Sequence, residues 1–128
     1  MEKVKLDINL YEQLLKQAEE NPRLRQAYDL RNGSDDTSQR LLNALIPGTI
    51  IPIHRHTTTI ETAVVLYGEI DEIFYDNTGK EFNRIRLYIG DGMQIPKSQF
   101  HSIQVIKPSI LLEFKDGKYT PLSPVDIL

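Results

Sequence analysis

GTIIPIHRHTTTIETAVVLYG, residues 48–68, is the stretch whose reading decides the fold. Side chains two apart in an extended chain project from the same face, so His54 and His56 point the same way and one cation can accept both. Glu61 follows five residues later, at the head of the apolar run Thr62-Ala63-Val64-Val65-Leu66, close enough after a short turn to add an oxygen ligand. The third and last histidine, His101, lies 40 residues beyond Glu61. Imidazole and carboxylate donors form a set of borderline softness, suited to one divalent transition metal (Fe, Mn, Ni, Co, Cu or Zn) rather than Ca or Mg. Four such donors on a six-coordinate ion would leave two positions for water, a bidentate substrate or dioxygen, as at a Lewis-acid or oxygen-activating (Fe(II) oxygenase-like) centre.

The rest of the composition narrows the alternatives. The 128 residues, 40% hydrophobic and 26% charged, are those of an ordinary globular domain. With no cysteine there is no disulfide framework and no thiolate ligand, so a metal site has to be built from histidine and carboxylate. A net charge of −3 and the lack of a long Lys/Arg run argue against nucleic acid or an anionic membrane as partner. No run approaches the ~18 apolar residues of a membrane helix. The opening Met-Glu-Lys-Val-Lys-Leu-Asp lacks a signal-peptide core, which makes the cytoplasm the expected location.

Along the chain, Leu10, Leu14 and Ala18 recur at helical spacing and predict a helix over 8–20, with Asn9 and Glu12 as a capping box. Asn21-Pro22 predicts the start of a second short helix carrying Leu24, Ala27 and Tyr28. Residues 31–36 read as a loop. From Thr37 onward, short β-type runs follow at 38–46, 50–56, 60–67, 70–75, 82–88, 92–95, 101–106 and 110–114, as in a sandwich or barrel. Asp76-Asn77-Thr78-Gly79 and Asp116-Gly117 read as tight turns whose glycines need positive φ. The expected organisation is one structural domain: an N-terminal helical segment and loop over 1–36, then a β-barrel over 37–128.

Together these segments resemble the two motifs of the cupin superfamily. Gly48, His54, His56, Glu61 and Gly68 fill every slot of the first, Gly-x5-His-x-His-x3–4-Glu-x6-Gly. Gly90, Pro96 and His101 fit the second, Gly-x5-Pro-x-Gly-x2-His-x3-Asn, while Ser98 replaces its last glycine and Val105 its asparagine. The resemblance implies a mainly β, single-domain cupin, a double-stranded β-helix or jelly-roll barrel, with a metal on His54, His56, Glu61 and His101. It also implies a homodimer packed through edge strands or N-terminal segments, the alternative being a helical N-terminus that caps the barrel mouth of its own chain.

A finer resemblance, to WbuC-type cupin metalloproteins, rests on Arg31-Asn32, residues 39–45, Pro47-Gly48 with Pro52-Ile53-His54-Arg55-His56, residues 75–79, and Leu112-Glu113-Phe114-Lys115 with Gly117 and Tyr119. It implies Arg31, Asn32, Gln39, Arg40 and Lys115 as polar ligand-binding candidates. Arg40 and Lys115 have an ordinary alternative as solvent-facing strand charges, and Arg31 as an ion-pair partner of Asp35 or Asp36.

Strand alternation places Pro52, Ala63, Val65, Ile103 and Val105 on the ligands' inner face, and Tyr67 shares the parity of Glu61 as a further candidate. Arg55, between two ligands, faces away. No second carboxylate or fourth histidine is marked by position as a general base. Three functions are compatible with this reading: a metal-dependent enzyme acting on a small polar metabolite such as a sugar derivative, a non-catalytic module binding carbohydrate or carboxylate, and a metal-stapled structural protein.

Overall fold

The computed structural model describes residues 3–128, so the first two residues of the expected N-terminal segment lie outside the described part. One helix, α1 (Ile8–Glu20), precedes six strands: β1 (Arg25–Asp29), β2 (Gln39–Leu45), β3 (Glu61–Tyr75), β4 (Glu81–Tyr88), β5 (Gly92–Ile95) and β6 (Phe100–Lys115). A 3₁₀ turn, Pro124–Asp126, lies near the end. Asp7, not Asn9, caps α1, its carboxylate accepting from the Leu10 amide at 3.1 Å. Asp7 is the extended residue just before the first helical turn, where a side-chain oxygen reaches the free amides.

The expected second helix is strand β1. The Asn21 side chain accepts from the Arg23 amide at 2.8 Å, and Leu24 takes the left-handed φ of 55°, so the chain turns rather than coils. β1 then pairs with β2, Arg25 opposite Leu45.

All ladders are antiparallel, in the order β1-β2-β6-β3-β4, with β5 also on β3. The two longest strands form the spine, and each unites two of the expected short runs. Gly68 and Pro108 do not end them; they mark an irregular register in which Val65 faces Leu111 but Tyr67 faces Ile110. Gly68 sits at φ +88°, and a Cβ there would lie 2.3 Å from the Pro108 carbonyl oxygen, so only glycine allows this close crossing.

Two apolar groups hold the sheet. On its outer face Leu14 and Ala18 of α1 pack on Leu42, Ala44 and Ile110. Inside, Leu45, Val65, Ile70, Leu87, Val105 and Leu111 fill the core, which leaves the inner face near His101 for polar side chains. The expected strand over 50–56 is absent. Proline at 52 has no amide to donate, and the segment pairs only at His54, by isolated bridges to His101 and Ile127. Gly79 has the expected positive φ (+86°), whereas Gly117 does not; a Cβ there would meet the Thr59 methyl at 2.9 Å.

Candidate metal centre

Residues 53–56 are held between two neighbours. On one side His54 and His101 exchange backbone hydrogen bonds of 3.1 and 2.8 Å; on the other the Arg55 amide donates to Asp126 and the Leu128 amide to Ile53. Arg55 turns outward to Asp126 (2.9 Å), stacking over the Phe100 ring, as alternation requires. His54 and His56 turn inward. One ring nitrogen from each of His54, His56 and His101 lies within 4.8 Å of the other two.

Hydrogen bonds orient the rings and, for His54, fix the tautomer. His54 donates through Nδ1 to the Pro52 carbonyl at 2.8 Å, which leaves its Nε2 lone pair free. His101, 1% exposed, places Nδ1 2.7 Å from Oε1 of Glu72, itself fully buried. The Nε2 atoms of His56 and His101 are buried without any hydrogen-bond partner. Buried polar atoms are normally satisfied, so lone pairs left open on clustered imidazoles fit a cation as the missing partner.

The electrostatics agree with that fit. Burial, then the neighbouring His101, lowers His54 to about 4, and burial also lowers His101, so both rings are neutral at physiological pH, as ligation requires. Burial alone would raise Glu61, but His56, His101 and Lys115 outweigh it and hold the carboxyl at about 2. Glu61 Oε1 lies 3.5 Å from His56 Nε2 and 3.4 Å from Lys115 Nζ. Burial, then the Glu61 charge, pushes Glu72 well upward.

A cavity of about 320 Å³ opens onto the three histidines and Glu61. Of the other sequence candidates, Gln39 and Lys115 line it. Arg31 pairs with Asp29 (2.8 Å), not Asp35 or Asp36, and stacks near Tyr119. Arg40 pairs with Asp36 at 2.8 Å, and the Asn32 amide donates to Asp36; none of the three borders the cavity. Tyr67 stands 38% exposed beside Tyr88 and Lys107, because the register shift after Val65 cancels the parity it shared with Glu61. Pro52 and Ile103 line the cavity, while Ala63, Val65 and Val105 are core residues outside its lining.

Glu113, like Glu72, is a residue the sequence reading missed. It stands in the cavity wall, two positions from Lys115 on the same face of β6, near Asn43 Nδ2 at 3.5 Å. Burial, then the Glu61 charge, pushes it up to about 7. Its only sequence signal was the Leu112-Glu113-Phe114-Lys115 segment, in which inward parity with Lys115 marks it.

Residues 6–87 match a protein-family model described as Domain of unknown function (DUF6016). The chain belongs to this family. His101, Glu113 and Lys115 of this DUF6016 member lie beyond the matched residues. A search of curated proteins finds no match. Solved structures similar to the DUF6016 chain include KdgF from Halomonas sp., with a TM-score of 0.64, 15% identity, and coverage of 77% of this chain and 84% of that one. An oxalate decarboxylase variant from Bacillus subtilis superposes with a TM-score of 0.64 at 23% identity, over 80% of this chain and 28% of that one. The Schizosaccharomyces pombe Cnp3 cupin domain gives a TM-score of 0.59 at 16% identity, over 74% and 65%. The DUF6016 chain has the cupin, jelly-roll fold, mainly β with one short helix. No helix among the described residues is long and apolar enough to cross a membrane.

Proposed function

We propose that this chain is a metal-binding cupin protein in which His54, His56, Glu61 and His101 hold one divalent transition metal beside a pocket for a small polar molecule. The observation that carries the reading is the pair of buried, unpartnered Nε2 atoms on His56 and His101, clustered with the ring of His54. When bound, such an ion supplies a Lewis acid that polarises a ligand oxygen. The chain's own residues do the rest. Pro52 sets the tautomer of His54, Glu72 orients the ring of His101, Lys115 holds Glu61 in its ionised form, and Pro52 and Ile103 keep part of the wall dry.

The enzymatic reading is favoured over a purely binding module by Glu113, a carboxyl that exchanges its proton near neutrality in the wall of the same cavity. The substrate on this reading is a small polar metabolite, sugar-like or otherwise. The WbuC-type assignment draws support from Gln39, Glu113, Lys115 and Tyr119, which belong to the resembling segments and line the cavity. A homodimer is supported by Val4, Leu6 and Ile8, which alternate along the chain and are all exposed.

Elemental mass spectrometry on the untagged protein and on His101→Ala tests the reading. About one transition-metal ion per chain, lost in the variant, is expected; no ion after anaerobic purification and reloading overturns it.

A further inference from the structure

The cavity wall carries an ordered row of polar side chains, read from the strand register. Lys115 on β6 stands directly opposite Gln39 on β2 and opposite Glu61 on β3. Two residues along the same face of β6, Glu113 stands opposite Leu41 and Ala63. Opposed side chains lie ~5 Å apart at Cβ, so Lys115 is adjacent to the carboxylate of the metal centre.

The lysine has bonding capacity to spare. Its side chain is only 12% exposed, and the one carboxylate within ion-pair range of it among the described residues is Glu61, at 3.4 Å. An ammonium group has three N–H donors, and a largely buried cation is costly unless its charge is compensated. Once Glu61 shares its charge with a metal ion, Lys115 is left without a full counter-charge. The cavity's other cation, Arg25, bonds only to the Ile50 carbonyl at 3.3 Å and has no carboxylate within ion-pair range among the described residues. The acids of the wall are otherwise engaged: Asp126 with Arg55 and Ser123, and Glu113 near Asn43. A volume of about 320 Å³ is at the small end of ligand pockets.

We propose that the cavity's ligand is a small carboxylate, one of whose oxygens is held by the Lys115 ammonium while another faces the metal centre. This inference rests on the metal reading above and narrows its substrate class from polar molecules to anions. Gln39 is the neighbouring donor: one N–H of its amide goes to the Gly117 carbonyl at 3.2 Å, and the other is left over. A neutral sugar hydroxyl would leave the lysine's charge uncompensated.

The test is calorimetric titration of the metal-loaded full chain with lactate and with lactamide, which have nearly the same shape and differ in charge. Metal content is measured on every sample. Lactate is expected to bind roughly tenfold to a hundredfold more tightly than lactamide, the worth of one charged hydrogen bond in a sheltered site. Lys115→Gln should retain the metal and lose most of that preference, whereas Lys115→Arg should keep it. A metal-loaded wild type that binds the two alike overturns the inference and leaves the metal centre standing; so does a preference that survives in Lys115→Gln or is lost in metal-loaded Lys115→Arg. Wild type that takes up no metal fails the reading beneath it instead.

Discussion

Glu72 is the residue on which the readiness of His101 turns. It is fully buried, and its Oε1 sits 2.7 Å from His101 Nδ1, so it holds the ring with Nε2 toward the other histidines. Replacing it with leucine removes that hold, and metal affinity should fall roughly tenfold to a hundredfold, with Glu72→Gln intermediate, as read by competition with a chromogenic chelator. Glu113 makes a second prediction. It keeps its proton up to about 7 when folded, against an ordinary 4.5. Between those values the folded chain binds more protons than the unfolded one, so this group costs stability progressively as pH climbs from about 4.5 to about 7. In metal-free protein, Glu113→Gln should therefore raise Tm most above pH 7 and least near pH 4.5; an advantage independent of pH would contradict the assignment. Both residues escaped the sequence reading for one reason. His54, His56, Glu61 and His101 carry a spacing, but Glu72 and Glu113 acquire their roles only through cross-strand register, which a bulge can shift.

At the scale of elements, what was legible was what local chemistry dictates. The 3.6-residue apolar repeat marked α1, and alternating runs with turn residues marked β2, β4 and β5 closely. Leu24-Arg25-Gln26-Ala27-Tyr28 has helix-compatible composition, and only pairing with β2 makes it a strand. Gly68 and Pro108 looked like ends of strands, yet β3 and β6 pass through both because the two distortions face each other. Gly68→Ala should accordingly destabilise the protein by about 2–4 kcal/mol, from a left-handed φ and a clash with fixed backbone, as measured by urea unfolding. Ser98 gives the opposite case. It holds φ 66°, the conformation that the glycine of the cupin motif adopts without strain. Ser98→Gly should leave the fold intact and raise stability by about 0–1 kcal/mol in the same assay, relief of strain slightly outweighing the added chain entropy.

At the scale of the whole molecule, an ion bound only by the folded chain adds to its stability by mass action. Stripping it with a chelator should lower Tm, reversibly on reloading, by a shift equivalent to about 4 kcal/mol when free metal exceeds its Kd a thousandfold. Position matters here as well as affinity. The histidine segment 53–56 has no ladder of its own; it is clasped by the His101 backbone on one side and by Asp126 and Leu128 on the other. Opening of either side loosens the backbone that carries His54 and His56. The consequence is kinetic: such a clasp governs how long an ion stays, independently of how tightly it binds at equilibrium. Metal off-rates and opening-limited hydrogen exchange at the Arg55 and Leu128 amides, measured where exchange outpaces reclosing, should then share one rate constant and one activation enthalpy, the signature of a single opening event that acts as the timer of the site.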